Sequence, residues 1–146
     1  MNIIVGCVVI NDDKVLMVRE SKGKGCGKWG FPVGHLENNE TIFEGAIRET
    51  YEESGYNVKL TGILPITETF NEKGKYVLIK FMAEVISKDS KIADDVSDVM
   101  WMNVSDVLNL STEEFRYCNS NKKVLKYVLD NEIYPLDLIR GNIFEN

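Results

Sequence analysis

Apolar and β-branched residues form two short runs near the start of the chain and predict a pair of strands. The first run is 3–10, IIVGCVVI, and the second is 14–20, KVLMVRE, on either side of the turn signal NDDK. The glycine-rich basic segment 21–28 predicts a loop, and 29–40 adds a short apolar piece before polar turn residues. The chain therefore begins with a predicted β-hairpin, a loop and a short strand.

The hydrophobic pattern becomes helical at Thr41. Thr41 and Glu44 have the spacing of a capping box, and Gly55 is a typical helix stop. The positions predicted to pack this helix on a sheet are Ile42, Phe43, Ala46, Ile47 and Thr50. We expect one amphipathic helix over 41–54.

The second half of the chain predicts three more strands and then helices. Segments 57–70 and 75–87 are rich in β-forming residues, and Pro65 indicates that the first is an edge strand or is broken there. The acidic stretch 93–104 predicts a loop that runs into a short strand. The helical segments are 105–110 and 111–131, with Ser105 and Ser111 as predicted caps. This order predicts one domain over 1–146, an α/β fold with helices beside a mixed sheet.

Composition narrows the class of protein. A length of 146 residues suits one domain with a hydrophobic core, and 44% hydrophobic and 27% charged residues are ordinary values for a globular protein. No apolar run approaches the roughly 20 residues of a membrane-spanning helix, and the first residues lack the features of a signal peptide. A net charge of −6 argues against nucleic-acid binding. We therefore expect no membrane and no nucleic acid among the partners.

The cysteine pattern fits a reducing, cytoplasmic location, and the histidine count limits the kinds of site that are possible. The three cysteines, Cys7, Cys26 and Cys118, are an odd number without CxxC spacing, which makes a disulfide framework or a zinc site improbable. His35 is the only histidine, so a multi-histidine metal site and a serine triad are excluded.

Three glutamates crowd one and a half turns of the predicted helix, in RETYEESGY (48–56). Glu49, Glu52 and Glu53 fall within an arc of about 100°, and like charges at this spacing repel each other by a few tenths of a kcal/mol per pair, roughly. A solvated acidic face is one interpretation. The other is a hard divalent cation, because carboxylates and water are the ligands that Mg²⁺ prefers.

The wider spacing favours the cation. The pattern G-x5-E-x7-R-E-U-x-E-E-x-G-U, where U is a bulky aliphatic residue, resembles the signature of the Nudix family of pyrophosphohydrolases. The matching residues are Gly34, Glu40, Arg48, Glu49, Glu52, Glu53 and Gly55. Thr50 and Tyr56 depart from the two U positions, and both are packing positions rather than chemical ones.

The resemblance implies an α/β/α sandwich around a mixed sheet, with the catalytic loop and helix on one side. It implies that Mg²⁺, or Mn²⁺ in its place, is held by Glu49, Glu52, Glu53 and the backbone carbonyl of Gly34. Arg48 would orient a carboxylate by a charge-assisted hydrogen bond. Glu40 would hold the loop and helix together or bind a second metal ion.

Water is the expected nucleophile, because bound metal neutralises phosphate oxygens and a carboxylate can take the proton. Glu49 is the first candidate for the base. In relatives an acidic residue of a later loop takes this role, and here the candidates are Asp94, Asp95 and, above all, Asp98, three residues before Trp101. A solvated acidic loop is the alternative.

Basic residues before the motif are candidates for phosphate binding. They are Arg19, Lys22, Lys24 and Lys28, within ten residues of an otherwise acidic chain. A solvated lysine-rich loop is the alternative, and a P-loop is excluded because GxxxxGK[ST] is not satisfied. Trp29 and Phe31 are predicted to be core. The predicted substrate contacts are Arg19, Lys28 and Tyr76, with Tyr76 as a stacking surface.

Markers for Nudix hydrolases of ADP-ribose, dinucleoside polyphosphates and NADH are missing. The strings VGHLENNET (33–41), FRYCNS (115–120) and IYPLDLI (133–139) resemble NudJ-type phosphatases. That resemblance implies a small-molecule substrate, a nucleoside di- or triphosphate or hydroxymethylpyrimidine diphosphate. The alternative substrates are ADP-ribose and a dinucleoside polyphosphate, and the alternative function is a non-catalytic module that binds a nucleotide. For the YPL segment (134–136), the alternative to a ligand-binding role is that it only anchors the C-terminus.

Overall fold

A mixed β-sheet with helices on both faces organises the chain. The computed structural model describes residues 2–89 and 96–141. The strands are β1 (Asn2–Asn11), β2 (Lys14–Glu20), β3 (Trp29–Gly30), β4 (Val33–His35), β5 (Tyr56–Ile63), β6 (Thr67–Asn71), β7 (Gly74–Lys88) and β8 (Val96–Asn103). The helices are α1 (Ile42–Ser54), α2 (Val104–Leu108) and α3 (Cys118–Leu129), followed by a 3-10 helix at Leu136–Leu138. The predicted α/β fold is confirmed.

The sheet is mixed because its central pair is parallel. The main strand order is β3-β2-β1-β7-β5, with β4 beside β1, β6 beside β7 and β8 beside β2. β1 runs parallel to β7 over eight residue pairs, and the other neighbours are antiparallel. A parallel pair requires a long crossover connection, and α1 lies within it.

Side-chain alternation along β1 separates two cores. Val5, Cys7 and Val9 lie in the core under α1, and Val8 lies in the core under α3. The other fully enclosed side chains of the two cores include Leu16 and Phe81 on the α1 side and Val15, Met17, Phe115 and Leu125 on the α3 side. The strands are therefore apolar on both faces, which explains why the sequence shows continuous apolar runs there.

The predicted hairpin and the predicted strand break are both present. β1 and β2 pair at Asn11 and Lys14 around Asp12 and Asp13, which have φ values of 49° and 63°. Positive φ at both central residues is what a tight hairpin turn requires. The expected strand 57–70 is divided at Pro65 into β5 and β6, since proline has no N–H to donate to a sheet ladder.

The prediction of a helix from residue 111 is wrong, because α3 begins at Cys118. The Trp29 N–H donates to the Glu114 carbonyl at 2.8 Å, and the Trp29 carbonyl accepts from the Arg116 N–H at 2.8 Å. Phe115 between them is fully buried. The bridge between Phe115 and Trp29, with turns on either side of it, therefore interrupts the segment in which local propensity predicts a helix.

Neither predicted cap of the C-terminal helices is correct. Ser105 lies inside α2, whose N-cap position is Asn103, and α3 has Tyr117 at its N-cap position. Ser111 instead begins a turn, and its carbonyl accepts from the N–H groups of Glu114 and Phe115.

The segment IYPLDLI is fastened to the sheet. Ile63 and Tyr134 exchange two backbone hydrogen bonds, each of 2.8 Å. Leu136 and Ile139 pack against the core under α1. These contacts fit the predicted alternative in which the segment anchors the C-terminus, and its predicted ligand-binding role stays a prediction. No helix within residues 2–89 and 96–141 has the length and apolar character needed to cross a bilayer.

Candidate active site

Reciprocal side-chain hydrogen bonds define the start of α1. Thr41 Oγ1 accepts from the Glu44 N–H and a Glu44 carboxylate oxygen accepts from the Thr41 N–H, both at 3.1 Å. At the other end Gly55 is left-handed, with φ of 78°, and its N–H donates to the Tyr51 carbonyl. The capping box and the glycine stop are as predicted, so the acidic residues project from a helix with fixed ends.

The two positions that depart from the family pattern still pack. Thr50 is fully buried and its hydroxyl donates to the Ala46 carbonyl at 2.8 Å, which satisfies the polar group within the helix. The Tyr56 ring meets Trp101 edge-on at 5.5 Å, and its hydroxyl accepts from Trp101 Nε1 at 2.9 Å. A threonine and a tyrosine therefore do the packing expected of aliphatic residues.

Arg48 joins the loop before α1 to the helix. Its guanidinium donates to both oxygens of Glu40, at 2.8 and 2.6 Å, and to the His35 carbonyl at 3.0 Å. The hydrogen bond from Arg48 is the main reason why the pKa of Glu40 is lowered. This geometry supports the structural alternative for Glu40, because both of its oxygens are already engaged.

Glu49 lies against the backbone of β4. Its carboxylate accepts from Arg48 Nη1 at 2.8 Å and its side chain is only 12% exposed. Burial raises the pKa of this carboxyl, an effect that Arg48 opposes. A Cβ atom built on Gly34 would lie inside the contact distance of the Glu49 carboxylate. The structure thus brings together the predicted pair Gly34 and Glu49, and glycine is what allows the approach.

Gly34→Ala should therefore disable the site without unfolding the protein. The new methyl group displaces the Glu49 carboxylate, because that carboxylate occupies the space where the methyl group would lie, and we expect kcat to fall by about 100-fold or more. Steady-state kinetics and circular dichroism of the variant check this. Gly141→Ala is the matched control, since a Cβ atom there meets nothing. A Gly34→Ala enzyme with wild-type kcat would contradict the role assigned to this contact.

Glu52 and Glu53 complete the acidic side of α1. Glu52 is 48% exposed and accepts from the same Arg48 nitrogen as Glu49, at 3.1 Å. Glu53 is half-buried. Within the described residues no three acidic, histidine or cysteine side chains surround a common point as metal ligands do. The donor types nevertheless fit a hard divalent cation, because Glu49 and Glu52 already face one cationic nitrogen.

Asp98 lies on the other face of the sheet. On β8, its neighbour Val99 and Trp101 pack toward the core under α1, so alternation directs Asp98 away from that helix. It is the cross-strand partner of Arg19 on β2 and forms an ion pair with it. The structure therefore brings together a predicted base and a predicted substrate contact, and does not bring Asp98 to Glu49. Asp94 and Asp95 lie outside the described residues.

The predicted substrate contacts lie at two places, Arg19 and Lys28 beside Trp29 and Tyr76 beside His35. The Arg19 guanidinium lies 5.1 Å from the centre of the Trp29 ring, and Lys28, half-buried, is the residue before Trp29. The half-buried Tyr76 is on β7, where its ring lies 6.4 Å from that of His35. Phe31 is buried in the core under α3, as predicted.

Comparison with known proteins identifies the family. The profile described as NUDIX domain matches residues 2–127, most of the chain. The chain therefore belongs to the NUDIX domain family, as the motif over 34–56 predicted. A solved structure described as a NUDIX hydrolase from Nitrosomonas europaea has a TM-score of 0.87, 24% identity, and coverage of 99% of both chains.

Two curated relatives show the range of the resemblance. The Bacillus subtilis protein named uncharacterized Nudix hydrolase YvcI is 31% identical over 116 residues, which are 73% of this chain and 69% of that protein. The zebrafish 8-oxo-dGDP phosphatase NUDT18 is 33% identical over 96 residues, 65% of this chain and 29% of that protein. The chain spans less than half the length of several curated relatives that it matches. These relatives support the family and give no support to the narrower NudJ-type resemblance.

Proposed function

We propose that the chain is a metal-dependent hydrolase that cleaves a phosphoanhydride bond in a nucleoside di- or triphosphate, with water as the nucleophile. The observation that carries this proposal is the arrangement of Glu40, Arg48 and Glu49 around Gly34. In it an arginine fixes one carboxylate structurally and holds a second, nearly buried one against a glycine backbone. Family members generally use divalent metals such as Mg²⁺.

The residues that would hold Mg²⁺, or Mn²⁺ in its place, are Glu49, Glu52 and Glu53 with the Gly34 carbonyl. When bound, such an ion neutralises phosphate oxygens and lowers the pKa of a water ligand. Arg48 is the positioning residue, because its bidentate bond to Glu40 leaves Nη1 directed at Glu49 and Glu52. The protein thereby fixes the carboxylates before the substrate arrives, which reduces the cost of orienting them during the reaction.

Glu49 is the better candidate for the general base. Burial raises its pKa, so it binds a proton more readily than an exposed carboxylate does. Asp98 is engaged by the Arg19 guanidinium on the opposite face of the sheet. Asp98 stays a prediction as a metal-binding residue or base, and either role would require it to leave the Arg19 guanidinium.

A nucleoside diphosphate derivative is the proposed substrate class. The zebrafish relative is named for a phosphatase activity on 8-oxo-dGDP, a modified nucleoside diphosphate. The NudJ-like segments add hydroxymethylpyrimidine diphosphate as a narrower candidate, although the Tyr134 backbone is used to anchor the chain. We propose small-molecule diphosphates, and expect only modest discrimination between bases.

A phosphate-release screen with Mg²⁺ tests this proposal. The panel contains nucleoside di- and triphosphates, 8-oxo-dGDP, hydroxymethylpyrimidine diphosphate, ADP-ribose and a dinucleoside polyphosphate, with EDTA as the control. We expect metal-dependent release from at least one nucleoside di- or triphosphate. A tenfold higher kcat/KM for ADP-ribose or the dinucleoside polyphosphate, about 1.4 kcal/mol in transition-state binding, would assign the chain to that alternative class. Tight binding of one compound without hydrolysis of any would indicate a non-catalytic module.

A further inference from the structure

Glu37 is an acidic residue of the loop before α1, at a position that the family motif leaves open. In G-x5-E the residue three places after Gly34 is unspecified, and in this chain it is a glutamate. Its backbone is fixed, because its N–H donates to Glu40 Oε1 at 2.9 Å. The preceding Leu36 packs against the core under α1, and its N–H donates to the Ile3 carbonyl at 2.9 Å. The loop therefore presents Glu37 from a defined place.

The Glu37 carboxylate lies near the nitrogen of Arg48 that faces the helix carboxylates. Its Oε1 atom is 3.8 Å from Arg48 Nη1. The same nitrogen donates to Glu49 at 2.8 Å and to Glu52 at 3.1 Å. These are ion-pair distances, longer than the roughly 2.1 Å between Mg²⁺ and a ligand oxygen. Three carboxylates, one from the loop and two from α1, thus converge on one cationic nitrogen.

Arg48 has no N–H left for Glu37. A guanidinium has five N–H donors. Three of them go to Glu40 and to the His35 carbonyl, and the other two go to the two helix carboxylates. The Glu37 side chain is 59% exposed, and among residues 2–89 and 96–141 no group donates a hydrogen bond to its carboxylate. Both of its oxygens are therefore available to water or to a ligand.

Negative charge is in excess around Arg48. The carboxylates within 3.8 Å of its guanidinium are those of Glu37, Glu40, Glu49 and Glu52. In the described part of the chain no other cationic side chain pairs with any of them. A divalent cation reduces the repulsion between such carboxylates and takes oxygen ligands. Glu37 is the one member of this group whose oxygens accept no hydrogen bond there.

We propose that Glu37 is a further carboxylate of the divalent-cation site, contributed by the loop before α1. This role rests on the proposed function, which supplies the cation. Mg²⁺ usually keeps several water ligands, so an exposed carboxylate with two available oxygens can hold the ion through one of these waters. Cation binding then draws on two elements, the loop and α1, which the bonds between Arg48 and Glu40 hold together.

Metal binding in the absence of substrate tests the proposal. Binding of Mn²⁺ is measured from the electron paramagnetic resonance signal of the free ion, and binding of Mg²⁺ is measured by calorimetry. We expect Glu37→Gln to raise both Kd values by about tenfold, the lower end of the effect of removing a group that supports a metal from outside its direct ligands. Glu37→Asp, which keeps a carboxylate, should recover part of the affinity. In the hydrolysis assay kcat at saturating Mg²⁺ should change less than the metal affinity.

Two comparisons separate a contact at the site from a general effect of charge. Glu113→Gln, at an exposed glutamate between α2 and α3, removes the same charge elsewhere and should bind both ions like the wild type. The loss of affinity in Glu37→Gln should persist in about 0.5 M KCl, where salt screens exposed charges that are not in contact. A loss that disappears at this salt concentration would overturn the proposal.

Equal Kd values for wild type and Glu37→Gln, including no binding by either, would also overturn it. Circular dichroism of Glu37→Gln should match the wild type, because the side chain accepts no hydrogen bond from the described residues. The two proposals fail separately. A wild-type protein that hydrolyses nothing in the screen but binds Mn²⁺ more weakly on substitution of Glu37 supports the cation site and not the enzyme. Hydrolysis by both proteins with equal metal affinity supports the enzyme and not the role of Glu37.

Discussion

Glu49→Gln is expected to lower kcat with Mg²⁺ by about 100- to 1000-fold, the range seen when one preorganised electrostatic group is removed from a catalytic site. Glutamine keeps the shape of the side chain and one acceptor oxygen for Arg48. It can neither accept the proton of the attacking water nor coordinate a cation through a negatively charged oxygen. Steady-state kinetics at saturating substrate check the loss. Glu84→Gln, at an exposed glutamate of β7, makes the same chemical change away from the site and should leave kcat unchanged.

The same variant should fold at least as stably as the wild type in EDTA. A carboxyl whose pKa is raised on folding is more stable without its charge, so a neutral isostere does not destabilise the protein. Added Mg²⁺ should raise Tm of the wild type and raise Tm of Glu49→Gln less, because only a ligand that binds the folded state stabilises it. Unchanged turnover, or an equal Mg²⁺ shift in both proteins, would remove Glu49 from the proposed site.

Arg48→Lys is expected to destabilise the protein by about 2 kcal/mol and to lower kcat. A lysine cannot make the bidentate bond to Glu40 while reaching Glu49 and the His35 carbonyl, because its ammonium is a single point charge. The value is below that for a fully buried pair, since the Arg48 side chain is 22% exposed and solvent screens it. Chemical denaturation at pH 7 measures the difference, and Arg140→Lys, at an exposed arginine, is the control.

The stability difference should also depend on pH in a definite direction. Arg48 lowers the pKa of Glu40 in the folded protein, so the stabilisation is present above the ordinary carboxyl pKa of about 4.3 and is lost as pH falls below it. The difference in the free energy of unfolding between wild type and Arg48→Lys should therefore decrease on acidification. A gap that is constant from pH 7 to pH 3 would show that Arg48 stabilises the fold by packing rather than by its bonds to carboxylates.

Local patterns in the sequence were sufficient to predict α1, the helix that carries the motif. Thr41, Glu44 and Gly55 specify its ends through contacts that span only a few residues, and such contacts form in any environment that contains the helix. The spacing of the motif likewise indicated that Glu49 and Gly34 belong to one unit. Arg48 connects the two, because it donates both to Glu49 and to the carbonyl of His35, the residue after Gly34.

Two segments of the C-terminal half show what local patterns do not contain. Residues 111–117 have helical composition, but Phe115 is buried and its neighbours pair with Trp29, more than 80 positions earlier in the chain. Asp98 is predicted from its distance to Trp101 as a metal-binding or basic residue, and that role stays a prediction. Its face of the sheet depends on which strand pairs with β8, and pairing with β2 places it beside Arg19. Neither partner can be inferred from the residues nearby.

The sequence by itself determined the family, the α/β class and the carboxylate-bearing helix, because capping, hydrophobic periodicity and motif spacing act over short stretches of chain. Only the tertiary structure decided which side chains share a sheet face. That choice requires the register of strands far apart in sequence, and a shift of one residue reverses every side chain of a strand. Lys80 illustrates the difference: in the sequence it is one lysine in an apolar run, and the pairing of β7 with Gly6 and Leu64 makes it a buried cation.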